Sequence, residues 1–78
     1  MNRPQRIDLR AALNKKMFES ALETLKKADT AGELTEYDSD FYRNQQGAWD
    51  MVGTDYSPTV KQFNHLRLIA SEATKAGY

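Results

Sequence analysis

The side chains that could do bond-making chemistry are few and far apart in this chain. There is a single histidine, His65, and no cysteine. General acid–base work would therefore rest on one imidazole, which needs a carboxylate or nucleophile within hydrogen-bond reach. The sequence places none beside it, and a lone histidine of this kind is ordinarily a surface or structural residue. Ser57 stands directly before Pro58, which suits a helix cap better than a nucleophile. The run "EYDSD" brings Glu36, Asp38 and Asp40 close together. Hard cations take several convergent oxygens, and a helix start would spread these three around its axis. The calcium-loop pattern, with its central glycine and terminal glutamate, is absent, as is a glycine-rich phosphate loop. Thiolate zinc sites are excluded by the missing cysteines. The chain is not expected to be an enzyme: no catalytic residue, metal or cofactor is expected.

Recognition chemistry is better represented. Tyr42, Gln45 and Trp49 recur at helical spacing and would form a rigid amphipathic ridge if exposed, of the kind enriched at binding hot spots. Their ordinary use in so small a domain is to complete the core. Together with Glu36 and Asp38 they are the expected protein-binding surface. Lys61, Gln62, Asn64, His65 and Arg67 follow a capped helix start and could reach base edges in a major groove. Lys61, Asn64, His65 and Arg67 therefore define an alternative, helix-turn-helix-like DNA-binding reading. Against it stand a formal net charge of zero and Asp55 beside the presumed groove. A phosphate-binding domain usually carries a clear positive excess. Leu68 falls opposite the apolar stripe of the same helix, as a lone exposed leucine or a contact point.

The elements that must position these residues read as helices. From about Asp8 to Ala28, the residues Met17, Phe18, Ala21, Leu22, Leu25 and Ala28 make one apolar stripe at helical spacing. Leu9 and Leu13 drift off it, so the first turns bend, face another neighbour or form a separate arm. Glu23 and Lys27 have the favourable order for an exposed pair. Gly32 suits a left-handed helix end. Thr35 is the expected cap of a second helix, with Glu36 and Asp38 in its first turn and Leu34 placed to pack back. Its expected buried face is Tyr37, Phe41, Ala48, Met51 and Val52. Gly47 inside it costs about 1 kcal/mol against alanine. After Gly53, Ser57 and Pro58 should open a last helix that buries Phe63, Leu66, Ile69, Ala70 and Ala73 and ends near Gly77.

A chain of 78 residues makes one domain, in which roughly 60% of the unfolded surface can be buried. The expected organisation is a basic extension over 1–7 and an all-α, three-helix domain over 8–78. Arg3, Arg6, Arg10, Lys15 and Lys16 oppose only Asp8 in the first sixteen residues, whereas residues 17–40 carry seven acids against Lys26 and Lys27. That polarity either orients a partner or simply solubilises the fold. No apolar run approaches the ~20 residues of a membrane span, and no apolar signal core follows the basic N-terminus. A cytoplasmic location without membrane attachment is expected.

Leu34, Thr35, Tyr37, Asp38 and Phe41, followed by Ser57 and Leu66, carry a resemblance, with Gln62 a residue or two later than the pattern places its glutamine. The stretch from Leu34 onward resembles a short helical module of bacteriophage and mobile-element accessory proteins, with Tyr37 where a tryptophan is commoner. The resemblance implies a phage accessory origin and no catalytic residues. A small non-catalytic protein-binding module is the resulting expectation, such as an inhibitor of a host enzyme or defence complex. A purely structural or assembly role through self-association is the third class of function.

Overall fold

The computed structural model describes residues 5–78; residues 1–4 of the expected extension lie outside the described residues. Three α-helices follow one another as α1 (Ala12–Thr30), α2 (Glu36–Val52) and α3 (Val60–Lys75), with a single 3₁₀ turn over Gly53–Asp55 before α3. The architecture is all-α, as the periodicity predicts. Among the described residues the only β-type pairing is an isolated antiparallel bridge between Arg6 and Thr59.

The core closes around one ring. Phe18 of α1 is fully buried and meets an aromatic group from each of α2, the α2–α3 connection and α3. Trp49 of α2 lies 5.5 Å away, Tyr56 of the connecting loop 6.1 Å and Phe63 of α3 6.5 Å between ring centroids. Leu22, Leu25 and Ala28 continue the floor from α1, and Leu66, Ile69, Ala70 and Ala73 from α3. Both stripes are those that the sequence predicts. α1 and α3 form the closest-packed pair, and α2 packs mainly on α1.

α2 is turned about its axis relative to expectation. Tyr42 and Gln45 are its buried residues, and Trp49 packs half-buried against the core. Tyr37, Met51 and Val52, expected inside, are exposed, while Phe41 and Ala48 lie half-buried at the flank. Two apolar stripes compete on this helix, about 100° apart. The inward one carries the tryptophan that reaches Phe18. Its one polar member is satisfied, because the Tyr56 hydroxyl donates to Gln45 Oε1 at 2.8 Å.

Helix ends explain the remaining boundaries. Thr35 caps α2 by accepting from the Asp38 N–H at 3.1 Å. At the end of α1, Gly32 adopts φ +73°, and the N–H groups of Gly32 and Glu33 close onto the carbonyls of Asp29 and Ala28, the pair of bonds that a left-handed residue permits. α3 corrects the expected start: Thr59, not Ser57, is its cap. Thr59 accepts from the Gln62 N–H, and the Gln62 side chain accepts from the Thr59 N–H, a reciprocal capping box worth more than a lone serine. Pro58 lies before the helix and is fully buried.

The first described residues form a strap across that helix start. The Ile7 N–H donates to the Pro58 carbonyl at 2.8 Å, and the Val60 N–H, an orphan donor of the first turn of α3, reaches the Gln5 carbonyl at 2.9 Å. A turn then follows in which Asp8 Oδ1 accepts from the Arg10 N–H. Helix α1 therefore begins at Ala12 rather than Asp8. The turn drives Leu9 completely into the core and leaves Leu13 exposed.

α1 and α2 are also joined by charge. Asp29 accepts from the Ser39 hydroxyl at 2.6 Å and from Arg43 Nε at 3.0 Å. The Ser39 hydrogen bond, opposed by desolvation and aided by Arg43, holds the Asp29 carboxyl below its ordinary value. The expected Glu23–Lys27 pair does not form; Lys15 and Glu19 make the exposed pair on α1.

Phe18→Ala is expected to cost about 3–5 kcal/mol, on the order of the whole stability of a domain this small, so that chemical denaturation finds it largely unfolded without denaturant. Tyr56→Phe keeps the ring but strands the buried Gln45 oxygen, at a cost of about 1–3 kcal/mol measurable on the same curves. The Asp29 contribution is present at neutral pH, where the carboxylate is ionised in both states. It is lost as pH falls from the ordinary aspartate value through the lowered one of the folded state. Asp29→Asn should therefore flatten the acid limb of stability against pH, and Ser39→Ala should do so in part.

Candidate functional site

The expected binding ridge is not a surface. Tyr42 and Gln45 are only 5% and 4% exposed, and Trp49 spends its ring on Phe18. Of the acids grouped with them, Glu36 is exposed and Asp38 is half-buried, facing His65. This corrects the sequence reading: the three residues complete the core, as aromatic residues of small domains usually do.

The DNA-reading set is likewise divided. Lys61 and Asn64 are exposed on the outer side of α3 with Leu68. His65 turns toward α2, where its ring packs edge-on against Phe41 at 4.7 Å and near Tyr37 at 6.2 Å. Arg67 lies on the opposite flank, with its guanidinium 5.7 Å from the centre of the Phe63 ring. Two positions apart on a helix, His65 and Arg67 are about 160° apart around the axis, so the four side chains do not present one reading edge.

The chemistry around His65 is limited. Its Nε2 lies 3.3 Å from Asp38 Oδ1 without hydrogen-bond alignment, and no other acceptor serves that buried nitrogen. The imidazole fills the gap between the splayed edges of α2 and α3, joined to aromatic rings and one carboxylate. Among the described residues no three His, Asp or Glu side chains converge as a metal site, and no helix is long and apolar enough to cross a membrane.

The rotation of α2 creates a different candidate. Its outer face carries Glu36, Asp40, Gly47 and Met51, which at 100° per residue fall within about 60° of one line. Tyr37 and Asn44 border that line on one side, and Arg43 and Asp50 on the other. Tyr37 is 74% exposed and Met51 82%. Arg43, the one base here, is engaged by Asp29, which leaves Glu36, Asp40 and Asp50 as the free charges of the ridge. The ridge is thus both apolar and acidic. At its centre, a Cβ added to Gly47 would meet nothing within 4 Å. The fold has no internal need for glycine there.

A second feature lies across the molecule. The seam between α1 and α3 is an open groove with Leu13, Lys16 and Arg67 toward one end and Ser20, Thr24 and Ser71 along its floor and rim. No acid lines it. Sequence reasoning missed the ridge because it assigned Tyr37 and Met51 to the core, and missed the seam because a groove between two helices depends on how they pack. The signal that could have found the ridge is the conflict between two apolar stripes on one helix, with Gly47 lying outside both.

Gly47→Ala should stabilise the fold by about 0.5–1 kcal/mol, since nothing obstructs the methyl group and helix propensity favours it; a rise of a few degrees in Tm would report it. Gly53→Ala should do the reverse, because Gly53 ends α2 at φ +58° and ψ −131°, where an L-residue is strained. Comparison with known protein families, curated proteins and solved structures finds no match to this chain.

Proposed function

We propose that this chain is a non-catalytic protein-binding module whose contact surface is the outer ridge of α2. The observation that carries this reading is the exposure of Tyr37 and Met51, on a face the fold does not cover. Large apolar side chains grouped with a few charges are the composition of interfaces rather than of idle surface. Gly47 supports the same reading. In a domain of marginal stability, an exposed mid-helix glycine gives up helix propensity and gains only the close approach of another backbone.

The resemblance carried by Leu34, Thr35, Tyr37, Asp38 and Phe41 supports a bacteriophage or mobile-element setting, in which a host enzyme or defence complex is the kind of target expected. The division of Lys61, Asn64, His65 and Arg67 among different faces weighs against the DNA-binding alternative.

A photo-crosslinking side chain placed at Asn44, on the ridge, should form a nuclease-resistant protein adduct, whereas the same group at Lys27, on the outer side of α1, should not. Tyr37→Lys with Met51→Lys should abolish that adduct and leave Tm within a few degrees, because both side chains are largely exposed. Equal adducts at both positions, or an adduct that survives the double substitution, would overturn the reading.

A further inference from the structure

Resting on the ridge reading above, we propose that the occupant of the α2 ridge is a second copy of this chain, docked through its α1/α3 seam. In a three-helix arrangement the outer face of one helix lies across the molecule from the seam between the other two. The ridge and the seam are therefore on opposite sides, and one is convex where the other is concave.

Their chemistry is complementary. The ridge offers Glu36, Asp40 and Asp50 with no unpaired base. The seam offers Lys16 and Arg67 with no acid. Each also brings apolar surface, from Tyr37 and Met51 on the ridge and from exposed Leu13 and half-buried Met17 in the seam. Opposite charge on facing surfaces fixes register and speeds encounter, and apolar area supplies the holding force.

Length and register fit as well. Asp40 to Met51 and Leu13 to Thr24 each cover eleven residue steps, about 17 Å of helix. With Asp40 beside Lys16 and Arg67, Gly47 falls two turns further on. One turn on from Lys16 and Arg67 the seam presents Ser20 and Ser71, and two turns on Thr24 and Thr74, side chains small enough for a bare helix backbone to come close. This gives Gly47 a reason that the single chain does not supply.

Because the two surfaces differ and lie on opposite sides, the contact is heterologous. It leaves a free ridge at one end and a free seam at the other, so association continues into chains rather than closing as a two-fold dimer. Charge–charge attraction across it weakens as salt screens the faces.

Sedimentation equilibrium of the whole chain tests this. The weight-average mass should rise with concentration past that of a dimer at low salt and fall at high salt. Asp40→Lys breaks only the ridge, and Lys16→Glu breaks only the seam. Each alone should weaken association about tenfold or more, since facing like charges repel. Mixed together, they should associate again, because the intact ridge of one fits the intact seam of the other and the exchanged charges at positions 40 and 16 attract across the second contact. Arg67→Glu should reproduce Lys16→Glu, and Gly47→Ala should associate more weakly despite a higher Tm. A wild-type chain that stays monomeric at every concentration overturns the proposal. So does a dimer that does not grow, or variants that fail to complement when mixed. None of these outcomes touches the ridge reading, which stands or falls on the Asn44 adduct; an adduct of twice the chain mass supports the second copy, and one with a foreign protein from a monomeric chain overturns it.

Discussion

The structure depends on the burial of one aromatic ring. Phe18 is the point where aromatic rings of α2, the connecting loop and α3 meet α1. In a chain this short the core is a single cluster with little redundancy, so the orientation of each element is set by what it brings to that ring. α3 brings Phe63 on an otherwise regular apolar stripe. α2 has a choice of two stripes, and the one with Trp49 wins because it places a large ring against Phe18. Tyr56 then makes the choice consistent. Its ring packs edge-on to Phe18 while its hydroxyl satisfies Gln45, so the polar residue on the winning stripe is buried without an unpaired oxygen.

That competition also explains which parts of the fold were legible in the sequence. α1 and α3 each carry one apolar stripe, and the buried residues read from periodicity are those in the core. Thr35, Gly32, Gly53 and Gly77 mark helix ends because cap and left-handed positions depend on local geometry alone. α2 was misread because periodicity ranks stripes by their number of apolar residues. The fold ranked them by volume delivered to a shared centre, and Gln45 made the true stripe look like surface. The candidate binding residues inherited the same inversion: the ridge taken for surface is core, and part of the stripe taken for core is surface.

The start of α3 and the N-terminal strap were illegible for other reasons. Ser57-Pro58 and Thr59-x-x-Gln62 are overlapping helix-start signals two residues apart. The second wins because it satisfies two backbone donors reciprocally, and because Pro58 just before the cap stands where a hydrophobic staple to Phe63 requires an apolar residue. The strap over residues 5–7 has no period to detect. Its pairing partner is more than fifty positions away, and its order comes from the Gln5 carbonyl accepting from the Val60 N–H and the Arg6 guanidinium donating to the Ser57 carbonyl. Leu9 completes the arrangement from a turn, where helical periodicity gives no information.

The surface that results is a consequence of the core. Once Trp49 is committed to Phe18, Tyr37 and Met51 must face outward, and the acids that suit the N-terminus of α2 necessarily lie among them. Lys16 and Arg67 lie on the other side, in the seam between α1 and α3. A net charge of zero then removes the long-range repulsion that would keep copies apart, while the separation of the two signs gives each face a preferred counterpart. Gly47 connects the two levels. Its helix pays in local stability for a backbone left bare where apolar and acidic groups converge, a cost that the isolated fold leaves uncompensated and that contact at that face can offset.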